Sequence, residues 1–373
     1  MVSIFLIGHL RVELTCVTAD SSALYAMGNH TQGQLGLGAE RSANTESGDP
    51  QLILYSSPTR VDLSAAGSSA PAIVAVATGL DHLLVLCWSA ERGNTVLSCG
   101  INTDGQLGLD AAPSEGSSFC SSASTLQPVR FDLEEGDEII NIAAGGDTSF
   151  AWSRSGRLWS WGNAEYAQSM HGRAIDQIPT PLEATKSLRA AGVGRIRSVV
   201  AGGSFAALLD QDGRLFTVGY GGTGQGGEEL QLSDLRRLES LSLVERIEAG
   251  LEYSGAVDEH GILHTWGLDT MAGRLGLDPP SRKPWPSFMI ASRFTPDASR
   301  VLSSGEGGGD GKVKQQQDQL KAQRSMLCHR TPAIVQSAHS LGAQRITHLA
   351  CSGDSMWVLT EDGESPVGVW EAP

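Results

Sequence analysis

The chain has 373 residues, enough for one large domain or two ordinary ones, and a hydrophobic fraction of 40% supports a sizeable core. Its 45 glycines call for many tight turns, and a formal net charge of −15 disfavours nonspecific nucleic-acid binding because phosphates would be repelled. No locally basic stretch offsets that balance, so no direct DNA binding is expected.

Met1 to Gly8 is apolar, but it is short of the roughly 20 residues that a membrane span needs and no cationic region precedes it. Neither a signal peptide nor a transmembrane segment is expected, no Arg-rich transit segment is present, and the chain reads as soluble. Cys16, Cys87, Cys99, Cys120, Cys328 and Cys351 are scattered without a C-x-x-C pair and read as buried free thiols of a reducing compartment. The sequon Asn29-His30-Thr31 stands without other signs of secretion and is discounted.

From Leu24 onward one short string returns five times, each copy closing on glycine: Leu24 to Gly28, Val96 to Gly100, Leu158 to Gly162, Leu215 to Gly219 and Leu263 to Gly267. A preceding arm opens on glycine at Gly145, Gly202 and Gly250, in each case 17 residues before the closing glycine. Between the arms, Ser155-Gly156, Asp212-Gly213 and His260-Gly261 supply the positive φ of tight hairpin turns. The unit opening at Gly79 has a spacing of 21, a longer hairpin, and Ser352 with Asp362-Gly363 repeats the opening near the C-terminus. In the closing arms Leu158, Leu215 and Leu263 share a face with the small Ser160, Thr217 and Thr265, while Trp159 and Trp161, or Phe216 and Val218, line the other. Both faces therefore seek burial, which suits a small sheet between two similar sheets.

After the closing arms come Gly33-Gln34-Leu35-Gly36, Gly105-Gln106-Leu107-Gly108, Ala167-Gln168 and Gly224-Gln225, with Gly273-Arg274-Leu275-Gly276 a looser copy. A bend without room for a side chain explains the Gly or Ala, and the Gln is expected to bond loop backbone. Two stretches break the pattern. Residues 110–127 are Ser-rich and read as a surface loop, and residues 279–331 read as a partly disordered loop insertion. Opening glycines recur at intervals of 66, 57 and 48 residues. The expected fold is all-β: a single propeller domain over 1–373, built of four-stranded antiparallel blades, with a β-solenoid as the alternative.

The run from Asn29 to Gly36 after a strand ending on Gly28, with an Ala-x-Gly opening as at Ala143 to Gly145, resembles the regulator of chromosome condensation repeat from about residue 12 to 370. Trp161 to Tyr166, Gly192 to Arg197 and Gly219-Tyr220-Gly221 look like the mitochondrial branch of that family, the regulator-of-chromosome-condensation-like G-exchanging factors. The resemblance implies a seven-bladed propeller, whereas about five to six blades are legible here. The stretch from Arg11 to Asp20 lacks an opening glycine. We therefore expect the propeller to be incomplete at its N-terminus, with one to two blades and any targeting peptide upstream of Met1, and the ring to gape.

Several motifs evoke chemistry. Gly219 to Gly224 fits G-x-G-x-x-G, but Gln225 to Glu229 does not start an apolar helix, so the motif reads as a repeat turn. The glycine run 305–312 is out of register for a phosphate loop, with Val313 where Ser or Thr should bind magnesium. His260 and His264 lie across a turn and strand, a poor metal geometry. No nucleophile–base arrangement stands out, and no cofactor or metal is expected. Asp81-His82 is the one pair with a partner-binding reading: the resemblance implies that a loop aspartate in this Gly-x-Asp-His setting takes part in nucleotide exchange on a small GTPase. The equivalent His positions hold Thr148, Phe205 and Tyr253, which weakens exchange activity specifically. The resemblance implies a noncatalytic scaffold in mitochondria that supports ribosome or rRNA-related assembly. The alternatives are a guanine-nucleotide exchange factor for a small or mitochondrial GTPase, and a nuclear or cytosolic propeller linked to chromatin or tubulin.

Overall fold

In the computed structural model the described residues are 3–7, 13–18, 20–38, 53–67, 71–109, 122–221, 224, 231–269, 275, 277, 328–335, 345–351, 356–361 and 366–367. They form six antiparallel sheets in which sequential strands are hydrogen-bonded neighbours. The first holds β1 (Ser3–Ile7), β2 (Glu13–Val17), β3 (Leu24–Asn29) and β4 (Leu54–Arg60). The second holds β5 (Ala72–Thr78), β6 (His82–Ser89), β7 (Gly93–Ile101) and β8 (Ser122–Pro128). The third holds β9 (Ile139–Gly145), β10 (Thr148–Ser153), β11 (Leu158–Ala164) and β12 (Ile175–Glu183), followed by the short helix α1 (Thr185–Ala190). The fourth is β13 (Ile196–Ala201), β14 (Phe205–Asp210), β15 (Leu215–Tyr220) and β16 (Gln231–Arg237). The fifth is β17 (Val244–Ala249), β18 (Tyr253–Asp258), β19 (Leu263–Leu268) and β20 (Cys328–Ile334), and the sixth β21 (Ile346–Cys351), β22 (Met356–Thr360) and β23 (Pro366–Val367).

The first strands line up side by side, β5 against β9, β9 against β13, β13 against β17 and β17 against β21, as radial blades do around an axis. The alternation read in the closing arms is realised as apolar seams on both faces of each sheet. Leu83, Val85 and Cys87 of β6 join Leu24, Ala26 and Leu35 in the seam between the first two sheets. Their neighbours Leu84 and Leu86 turn the other way and meet Trp159, Trp161 and Ile142 of the third sheet. Phe150 and Leu158 face Leu208 and Phe216, Leu209 and Leu215 face Ile247 and Trp266, and Tyr253 and Val257 face Ile346 and Met356. Each large aromatic or aliphatic side chain buried this way contributes roughly 1.5–3 kcal/mol.

The recurrent closing glycine has a physical cause. Gly28, Gly100, Gly162, Gly219 and Gly267 all hold φ between 96° and 117°, and each sits where its strand's register shifts against the fourth strand. At Gly100, Gly162 and Gly219 a Cβ would press on the carbonyl oxygen of Asp81, Asp147 or Ser204. Only glycine meets both demands. Ala167, which stands where other units have glycine, adopts φ 65°, so left-handed backbone as well as space explains that position.

Two boundaries differ from the sequence reading. Residues 122–127 of the expected Ser-rich loop form β8, whose exposed residues carry little apolar signal, and the last four residues of the expected insertion, from Cys328, begin β20. Residues 110–121 and 279–327, which include the glycine run 305–312, lie outside the described residues. No helix among the described residues is long and apolar enough to cross a membrane.

A candidate docking rim

The loops that join first to second strands gather at one end of the ring, together with the loops that follow the third strands. Asp81, Asp147, Ser204 and Glu252 occupy the same place in successive sheets: their carbonyls accept from the amides of Ile101, Asn163, Tyr220 and Leu268, at 2.8 or 2.9 Å. Gln34 and Gln106 bridge one blade to the next. Each closes its own loop, accepting from the amide of Gln32 (2.9 Å) or Asp104 (2.8 Å). The amide nitrogen of the same side chain then reaches forward, Gln34 Nε2 to Asp81 Oδ1 at 3.4 Å and Gln106 Nε2 to Asp147 Oδ1 at 3.1 Å. Where Ser204 replaces the aspartate, Gln168 still closes its loop on the Tyr166 amide (2.9 Å), but its Nε2 turns to Asn163 Oδ1 at 2.9 Å. Asn163 in turn donates to Asp104 Oδ1 at 3.0 Å.

Three carboxylates thus share this part of the rim. Burial, reinforced by the charges of Asp104 and Asp81, pushes Asp147 up to about 6, and the Gln106 hydrogen bond offsets only part of that.

His82 lies beneath Asp81 with 2% of its surface exposed. Its ring covers Gly79, where any Cβ would overlap it, as Phe205 covers Gly202 and Tyr253 covers Gly250. Nε2 meets Ser149 Oγ across the seam at 2.8 Å, and Ser149 donates to the Gln106 carbonyl at 2.8 Å. Because the hydroxyl proton is committed there, the imidazole carries its proton on Nε2 and donates it to Ser149. Burial lowers the His82 pKa to about 3, keeping the ring neutral.

The structure brings Asp81 to the rim and His82 to the seam below it. The sequence reading anticipated the Gln bond to its own loop; it missed the forward bond to the next blade's carboxylate, although Gln34 with Asp81 and Gln106 with Asp147 recur at similar separations. It also missed the role of the small hydroxyl residues two before the closing glycine. Ser98, Ser160 and Thr265 pin the following loop by donating to Leu107, Ser169 and Leu275 carbonyls at 2.7, 2.6 and 2.8 Å. His264 contacts Asp258 at 2.9 Å while His260 sits on the exposed turn, and among the described residues no group of three His, Cys, Asp or Glu is placed to hold a metal ion. Gly219 and Tyr220 end β15, and Gly221 and Gly224 close a turn.

A family profile described as Regulator of chromosome condensation (RCC1) repeat matches residues 21–86 and 94–152. The RCC1-like G exchanging factor-like protein of Homo sapiens is 31% identical over 271 residues, which is 70% of this chain and 52% of that protein. This chain therefore spans about half the length of that curated relative. Among solved structures, human WBSCR16 superposes with a TM-score of 0.65 at 23% identity, covering 96% of this chain and 72% of that one. Yeast RCC1 (Prp20), solved bound to Kap60, gives 0.63 at 15% identity over 97% of this chain and 68% of that one. Both likenesses establish the propeller fold.

Proposed function

Because this chain is a regulator-of-chromosome-condensation repeat protein, we propose that it works as a noncatalytic docking ring whose acidic rim receives a partner protein with a basic face. The observation that carries this reading is the latched set of Asp81, Asp104 and Asp147, held by Gln34, Asn163 and Gln106. Side chains already fixed by hydrogen bonds lose little freedom on association. Carboxylates of one sign also steer an oppositely charged partner toward the face that carries them. His82 acts from below as a positioning residue that keeps the Asp81 loop in place.

In the mitochondrial setting that the resemblance implies, the partner belongs to ribosome or rRNA-related assembly. Sedimentation of the full chain with mitochondrial ribosomal subunits tests this, beside an Asp81→Asn, Asp104→Asn variant. Co-migration that the variant loses supports the reading; a chain found only in unrelated fractions counts against it.

A second reading, nucleotide exchange on a small GTPase, is favoured by the name of the human relative and by the position of Asp81 on the rim. Preferential binding to the nucleotide-free GTPase would release nucleotide without bond chemistry. Release rates from candidate GTPases, measured with and without the chain and with Asp81→Ala, check it. Absence of any acceleration removes it.

A further inference from the structure

At the opposite end of the ring one cavity departs from the acidic balance of the chain. β10 leaves the rim after Asp147 and ends at Ser153, so the hairpin turn that begins at Arg154 lies at the far end. There a cavity of about 420 Å³ opens between the turn of the third sheet (Arg154, Ser155), α1 (Leu188, Arg189) and the segment entering β13 (Gly194, Arg195). Its lining includes three arginines and no carboxylate, in a chain whose net charge is −15.

The nearby acids are already engaged. Glu138 pairs with Arg154, Asp137 accepts the Ser155 hydroxyl at 2.7 Å, and Glu183 holds Arg157 at 2.6 Å. Buried Asp210 accepts from the Gly194 amide at 3.1 Å and holds Arg214 at 2.7 Å, and Asp212 holds Arg214 at 2.9 Å. Among the described residues the Arg195 side chain reaches only the Arg154 carbonyl, at 3.4 Å. Arg189 forms no ion pair among the described residues, although its charge helps to lower the Glu183 pKa behind the Arg157 hydrogen bond. With Arg154 neutralised by Glu138, the cavity presents the guanidinium groups of Arg189 and Arg195, which have no carboxylate partner among the described residues.

We propose that this cavity is a binding site for a phosphate monoester dianion. Two guanidinium groups match two negative charges, and planar N–H forks engage phosphate oxygens in pairs. The cavity falls within the roughly 300–1,000 Å³ of small-molecule sites, so the phosphate arrives attached to a larger group. The site is independent of the rim and of the docking function proposed for it.

Calorimetry on the full chain with O-phosphoserine as probe tests this, with serine as the uncharged control. Saturable binding of phosphoserine alone is expected, weakened at least tenfold in Arg189→Gln, Arg195→Gln and unchanged in Arg60→Gln, an exposed arginine of β4 that controls for lost charge. A phosphoserine-containing peptide that binds more tightly than the free amino acid would place the phosphate on a protein; equal affinity would make it a free metabolite. Amide shifts of the unsubstituted chain read the same site without relying on a variant, and changes confined to residues 154–156, 185–189 and 193–195 are expected. No saturable binding, equal loss in Arg60→Gln, or shifts centred elsewhere would overturn the proposal.

Discussion

His82 and Asp147 make opposite demands on pH. The folded state holds His82 at about 3, below its unfolded value of 6.5, so the unfolded chain takes up the proton first and stability falls as pH drops below 6.5. For a fully buried ring the full span to pH 3 amounts to about 3–5 kcal/mol. Asp147 runs the other way: raised to about 6, it disfavours the folded state increasingly as pH rises from 3.8 through 6. Because that carboxyl, though largely buried, keeps some contact with solvent at the rim, its effect is about 1–2 kcal/mol. Urea midpoints at pH 7.5, 5.5 and 4.5 should fall steeply with acid in the unsubstituted chain and much less in His82→Gln. Asp147→Asn should gain stability at pH 7.5 and little at pH 4.5. Parallel profiles for all three proteins would contradict both assignments.

Strands tolerate change according to what lies beside them. A methyl added at Gly145, the last residue of β9, would fall on the Ala201 carbonyl oxygen of β13, and since both groups are backbone the two inner strands must part. Gly145→Ala should cost about 3 kcal/mol. At Gly156, on the hairpin turn, a methyl meets nothing within 4 Å and only the φ of 88° resists it, so Gly156→Ala should cost about 1 kcal/mol. Urea denaturation of the two variants separates the cases, and equal losses would mean that the inner strands are not in such close contact. The same elements show what local pattern can disclose. β10, β14 and β18 are all buried along their whole length, yet only β14, from Phe205 to Leu209, is plainly apolar in its residues; β10 and β18 bury Thr148, Ser149, Ser153, Ser254 and Asp258 as well. β8 is not buried in this way: of Ser122 to Pro128 only Leu126 is buried, and a fourth strand facing solvent reads like the loop it was expected to be.

At the scale of the molecule the six sheets depend on one another through their seams. Trp161 is fully buried between the second and third sheets and its Nε1 donates to the Gln106 carbonyl at 2.9 Å. Trp161→Ala should cost about 3–5 kcal/mol. Hydrogen exchange should then quicken in β6, β7, β10 and β11 while β18 and β19 keep their protection, because blades contact chiefly their neighbours. Uniform loss of protection would show the ring to unfold as a single unit.

The repeats, the hairpin arms, the two-faced burial and the propeller they build were written in the residues, since each rests on interactions within a few positions of the chain. Which side chains meet was decided only by the closing of blade upon blade. Gln34 lies 47 residues from Asp81, and Arg154 and Arg195 lie 41 apart, so no local spacing announces either contact. The sequence disperses its arginines among a larger number of acids; the ring decides which of them meet, latching Asp81, Asp104 and Asp147 at one end and leaving Arg189 and Arg195 without a carboxylate partner among the described residues at the other, because each loop must go where its strands deliver it.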